Sequence, residues 1–188
     1  MEDKKIIHTH KPDLNEKVFF FGCGVTISVP LTLFIYQYTD LLLIGLDPFI
    51  IALFARVIFA PFIEEFAKSY PLFYRHGETE RSIFNLSLII GLGFGIVELF
   101  TYIFVLDVPL IYRIPGIFFH PASTAITGYG IAKKRPIPYY LIAVMLHLAN
   151  NFISLTNSNP LVGSMLVVSG CVFIAWWLRK DTKEIMVI

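Results

Sequence analysis

Glu64-Glu65-Phe-Ala-Lys68 sets two carboxylates side by side, with an amine one helical turn further on. Gly91-Leu-Gly93-Phe94-Gly95-Ile-Val-Glu98 adds a third acid behind a glycine run, and His120-Pro121 and His147-Leu-Ala-Asn150-Asn151 bring imidazoles and amides. Acids, amines and imidazoles move protons, imidazoles and carboxylates ligate metals, and amides steady an oxyanion. On a helix, Glu64 and Lys68 share a face at i,i+4 with the acid N-terminal to the base, so an ion pair between them is expected. Glu65 then sits about 100° around, toward another neighbour. His147 and Asn151, also i,i+4, point into one cleft. Gly91 and Gly95 offer a small-residue surface on which a helix or a substrate backbone can approach closely, and Glu98 continues that stripe.

The elements that must carry these residues are long apolar runs. The chain has 188 residues, 56% hydrophobic and only 15% charged. A soluble domain carries about 25% charged residues. Six spans are read at Val18–Tyr38, Pro48–Tyr74, Ser82–Leu106, Pro109–Ala132, Pro138–Leu155 and Leu161–Leu178. Each is near the roughly 20 apolar residues that cross a bilayer. In lipid the backbone must satisfy itself, and the alternating segments of a barrel are absent, so an all-α membrane bundle is expected. Residues 1–17 read as an N-terminal tail, 18–178 as the catalytic bundle and 179–188 as a C-terminal tail.

Charge supports the span count separately. Of the 15 basic residues, 12 fall on one side of the six-span arrangement: Lys4, Lys5, Lys11, Lys17, Arg75, Arg81, Lys133, Lys134, Arg135, Arg179, Lys180 and Lys183. The loops of the opposite face contain none, which puts both termini in the cytoplasm. The net charge of +1, with no basic patch among aromatics, excludes nucleic acid as a partner. An integral protein of the plasma membrane, in contact with lipids, is expected.

Against that background the buried charges stand out, since each costs about 2.5–3.5 kcal/mol at the bilayer centre. Glu64, His120 and His147 lie roughly 16–20 Å from the basic residues at their helix ends, so they can share one layer, with Glu98 several Å deeper. Pro61 and Pro121 lack N–H groups, and the carbonyls of Val57 and Ile117 are expected to lose their helical partners. Groups of this kind on four spans suggest one solvated cavity. Simpler readings exist for the parts. Glu64 and Lys68 can be a structural pair. Arg56 can snorkel or neutralise a glutamate, and Arg113 can anchor an interface. Cys23 and Cys171 read as small core residues, and the His8-Thr-His10 pair reads as solvated tail.

Together the four motifs resemble the PrsW family of intramembrane proteases. Glu64-Glu65-Phe-Ala-Lys68 matches its EExxK, Phe94-Gly-Ile-Val-Glu98 its FxxxE, His120 the histidine of a third motif, and His147-Leu-Ala-Asn-Asn151 its HxxxN. The related CAAX-endopeptidase (Abi) family is similar but typically has EExxxR and FxxxH, from which Lys68 and Glu98 depart. The resemblance covers about Ala60 to Phe152 and implies peptide-bond hydrolysis in or at the membrane. Its members are associated with cutting membrane-anchored regulators such as anti-sigma factors, so a membrane-anchored protein substrate is expected.

On that reading Glu64 is the general base, and Glu98, His120 and His147 hold a divalent metal, with zinc the expected ion. Asn151 donates to the oxyanion, Lys68 orients the glutamate pair and Glu65 supports it from behind. A metal-free route, with Glu64 activating water directly, stays open beside it. So do two other classes: an ion- or proton-coupled transporter, which also places such residues at mid-membrane, and an inactive membrane scaffold.

Overall fold

The computed structural model describes residues 10–74, 78–157 and 159–187. Lys4, Lys5, His8 and Arg75, used above, lie outside them. Helix α1 (Leu14–Leu42) opens on a capping box in which Asp13 accepts from Glu16 N and the Glu16 side chain accepts from Asp13 N. His10 bonds Glu16 at 2.6 Å, and that hydrogen bond raises the imidazole pKa above its ordinary value. The next segment changes its winding along the way. It runs as α2 (Pro48–Ala52), a π-helical stretch (Leu53–Phe59), α3 (Ala60–Ser69) and a 3-10 turn (Tyr70–Tyr74). Then follow α4 (Glu80–Phe104), α5 (Leu110–Ala132), α6 (Pro136–Thr156) and α7 (Pro160–Asp181). Among the described residues there is no strand, only isolated bridges of His10 with Glu78 and of Thr79 with Met186.

Among the described residues four stretches are long and apolar enough to cross a membrane by themselves: Leu14–Thr39, Glu80–Phe104, Pro136–Thr156 and Pro160–Asp181. The other two expected spans fall short for different reasons. In 48–74 the π-helical stretch divides the segment into short pieces. Helix α5 has 23 residues but carries Arg113, His120 and a run of Ser, Thr and Gly. That polarity is tolerated because α5 is the hub of the bundle, packed against α3, α4, α6 and α7 and buried along most of its second half. The six-span reading therefore leans on loop charge for these two. Outward faces are apolar and aromatic, as with Phe19, Phe104, Leu166 and Trp177, which suits acyl chains as their surroundings.

Close backbone approach sets the depth of the site. A Cβ on Gly91 would run into the carbonyl of His120, and one on Gly24 would run into that of Ile90. Gly91 thus seats α5 on α4, and Gly24 seats α4 on α1. The small-residue stripe on α4 receives helix α5, the first of the two occupants expected for it.

The C-terminal residues fold back over the start of α4. Glu80 N donates to Ile185 O at 3.0 Å, Arg81 N to Lys183 O at 3.1 Å, and Ser82 N to Thr79 Oγ1 at 3.1 Å. The orphan donors of that helix end are thereby met. The buried Glu80 carboxylate accepts from Lys133 Nζ and Lys183 N, both at 2.9 Å. Burial lowers the Lys133 pKa, but Glu80 and Asp181 more than offset it and leave it raised.

Candidate functional site

Helix α3 carries Glu64, Glu65 and Lys68, all buried. Lys68 and Glu65 have fully buried side chains and pair at 2.6 Å across i,i+3. The pair expected between Lys68 and Glu64 is therefore made with Glu65 instead. Glu65 Oε1 also accepts from His147 Nδ1 at 2.8 Å and from Ser123 Oγ at 3.2 Å. Lys68 reaches on to His120 Nδ1 at 3.2 Å and Ser123 Oγ at 3.4 Å, with the Phe94 ring 4.9 Å from its Nζ. A buried ammonium and carboxylate are tolerated when paired and hydrogen-bonded like this.

These bonds assign the imidazole protons. An ammonium can only donate, so His120 accepts at Nδ1 and keeps its proton on Nε2. That Nε2–H donates to Glu98 Oε2 at 2.6 Å. His147 is the reverse at Nδ1, whose N–H goes to Glu65, and its Nε2 faces Glu64 Oε2 at 3.8 Å without a direct bond. The two rings lie 5.6 Å apart, centroid to centroid. Glu98 is further paired with Arg113 at 3.1 Å, and that guanidinium lies 3.5 Å over the Tyr102 ring.

Glu64 and Glu65 each keep a buried Oε2 without a hydrogen-bond partner among the described residues, but Glu65 bonds Lys68, His147 and Ser123 through its other oxygen, and of the two only Glu64 lines a cavity. Glu64 and Glu98 line a cavity of about 330 Å³ together with Arg56, Tyr112, Arg113 and Asn151. A smaller polar recess lined by Glu98, His120, His147 and Asn151 adjoins it. The cavity has room for a few waters or a substrate side chain.

The structure thus brings Glu64, Glu65, Lys68, Glu98, His120 and His147 into one cluster, with Asn151 at its edge. Asn151 Nδ2 donates to Arg56 O at 2.8 Å, so one of its two amide hydrogens is committed to backbone. Arg113 is no interface anchor: it stands beside Glu98 in the cavity wall. Ser123 was missed by sequence reasoning, although it lies one turn after His120 on the same face of α5. Asn150 also lines the smaller recess and accepts from Ser164 Oγ at 2.6 Å.

A metal would find donors of the right kind here, two imidazoles and carboxylates, beside a buried carboxylate oxygen that lacks a partner. Among the described residues no three His, Cys, Asp or Glu side chains stand at ligating spacing. His147 has the supported form usual for a ligand, with Nδ1 held by a carboxylate and Nε2 open. His120 would have to release its Nε2 proton first.

Comparison with known proteins agrees with the motifs. The family described as PrsW family intramembrane metalloprotease matches residues 15–178. No curated protein and no solved structure matches the chain.

Proposed function

Since this chain belongs to the PrsW family of intramembrane metalloproteases, we propose that it hydrolyses a peptide bond of a membrane-anchored protein with a water activated by Glu64. The observation that carries this reading is the buried Glu64 oxygen without a partner, lining the cavity and facing the open Nε2 of His147. At 3.8 Å the two are too far apart to bond directly, and a water held between them can bond both.

Glu64 takes a proton from that water as its oxygen attacks the scissile carbonyl. The tetrahedral intermediate then collapses, the C–N bond breaks, and Glu64 returns the proton to the leaving amine. Glu65 holds His147 in the required tautomer, and Lys68 balances the Glu65 charge. The second amide hydrogen of Asn151 is available to the oxyanion. Glu98, His120 and His147 are the residues that would hold a divalent ion, zinc being the proposed one. Such an ion, when bound, lowers the pKa of water and polarises the carbonyl.

The cavity wall includes Val108 and Pro160, which belong to two of the three outer loops, all of them without Lys or Arg. This supports entry of substrate from the non-cytoplasmic face of the plasma membrane, with both termini inside. The test is cleavage of a membrane-anchored peptide in proteoliposomes by wild type and Glu64→Gln. Loss of about 10²–10⁴-fold with an unchanged melting profile supports the reading. Equal cleavage by both removes Glu64 from the chemistry, and ion flux without cleavage would assign the site to transport.

A further inference from the structure

The Arg56 carbonyl needs an outside partner for a covalent reason. In the π-helical stretch the ladder runs five residues back, and Ala60 N–H bonds Ala55 O. The next rung would join residue 61 to Arg56 O, but residue 61 is proline and has no N–H. That rung is therefore missing, and the ladder gives Arg56 O no donor from residue 61. Asn151 Nδ2 meets that carbonyl at 2.8 Å. Helix α6 holds the same segment a second time, where Tyr140 OH donates to Phe62 O at 2.8 Å. These two bonds bracket Pro61 and lie just before Glu64.

We propose that Asn151 is a positioning residue: it supplies the donor that Pro61 lacks, and so locks the π-helical register that aims Glu64 at His147. A slip of that register by one residue turns the following side chains by about 100°. Glu64 lies three residues beyond Pro61, and His147 lies one turn before Asn151. A single side-chain bond therefore ties the helix carrying the base to the helix carrying the imidazole. π-helical turns recur at functional sites, where they re-aim a side chain. This inference deepens the protease reading and rests on it for its consequence, while the bond itself does not.

The test is a double-mutant cycle on the full-length protein: wild type, Asn151→Ala, Pro61→Ala and the two combined. Pro61→Ala restores an N–H that can bond Arg56 O, so it should partly replace Asn151. In wild type, Asn151→Ala should lower kcat at least 10-fold with KM changed less than twofold. In the Pro61→Ala background the same change should lower kcat at least threefold less. Equal losses in the two backgrounds would overturn the proposal and leave Asn151 acting on substrate alone. Thermal unfolding of the same four proteins gives a second reading without any substrate. There the drop caused by Asn151→Ala should shrink when residue 61 is alanine, and an equal drop overturns the proposal as well. A wild type that cleaves nothing but shows this coupling in stability would refute the protease reading and keep the bond.

Discussion

Glu64 and Glu65 are adjacent in sequence and opposite in condition. Glu65 faces inward, with Oε1 bonded to Lys68, His147 and Ser123, whereas Glu64 makes none of those bonds and lines the cavity. Their substitutions should therefore fail differently. Glu64→Gln should melt within a few degrees of wild type. Glu65→Ala strands a fully buried ammonium, which costs about 3–5 kcal/mol, so its melting temperature should fall sharply in detergent. Replacing both partners, as Glu65→Leu with Lys68→Met, should regain much of that stability and none of the activity, since His147 loses its tautomer-setting partner. If Glu65→Ala melts like wild type, the pair contributes little to the fold. The presence of these residues was legible in the sequence, and their pairing was not. Glu64 and Glu65 are both within a helical turn of Lys68, and only the neighbours on α5 and α6 select Glu65.

Between elements, two contacts set where the chemistry sits. Gly91 admits the His120 carbonyl so closely that Gly91→Ala must push α5 away from α4. Overpacking of this kind typically costs about 1–3 kcal/mol. The same shift should lengthen the bond between His120 and Glu98, so cleavage should fall along with the melting temperature. A Gly91→Ala protein with wild-type melting and turnover would show that the helices yield freely. At the other end, truncation after Asp181 removes the carbonyls that meet Glu80 N and Arg81 N. Each lost bond is worth about 1 kcal/mol, so the truncated protein should melt several degrees lower. Its amides at the start of α4 should also exchange with deuterium faster than in the intact chain. Neither contact was readable as such. A glycine pair announces close approach without naming the partner, and a short polar tail gives no hint that it caps a helix 100 residues away.

At the scale of the whole molecule, charge and cavity give a direction to the protein. Basic residues gather at one end, where Lys133 bonds Glu80 and Asp181, and the cavity reaches the loops at the other. With Cys23 and Cys171 replaced, Tyr112→Cys should react with a membrane-impermeant thiol reagent added outside intact cells. Lys134→Cys should react only after the membrane is opened. Protection of Tyr112→Cys from outside, with labelling from within, would invert the assigned orientation.

The sequence by itself determined the environment, the helical class and which ionisable groups lie within the apolar helices. Those follow from apolar length, from loop charge and from the cost of placing ions in lipid, all of which are local or additive along the chain. Tertiary structure decided which carboxylate is neutralised, which imidazole nitrogen is open, and that Arg113 and Ser123 belong to the cluster. It also placed the Asn151 amide on the Arg56 carbonyl, next to the Val57 carbonyl that an α-helical ladder expects Pro61 to leave without a donor. Such outcomes depend on hydrogen bonds between helices far apart in the chain and on a change of helical winding. Short-range spacing carries no information about either.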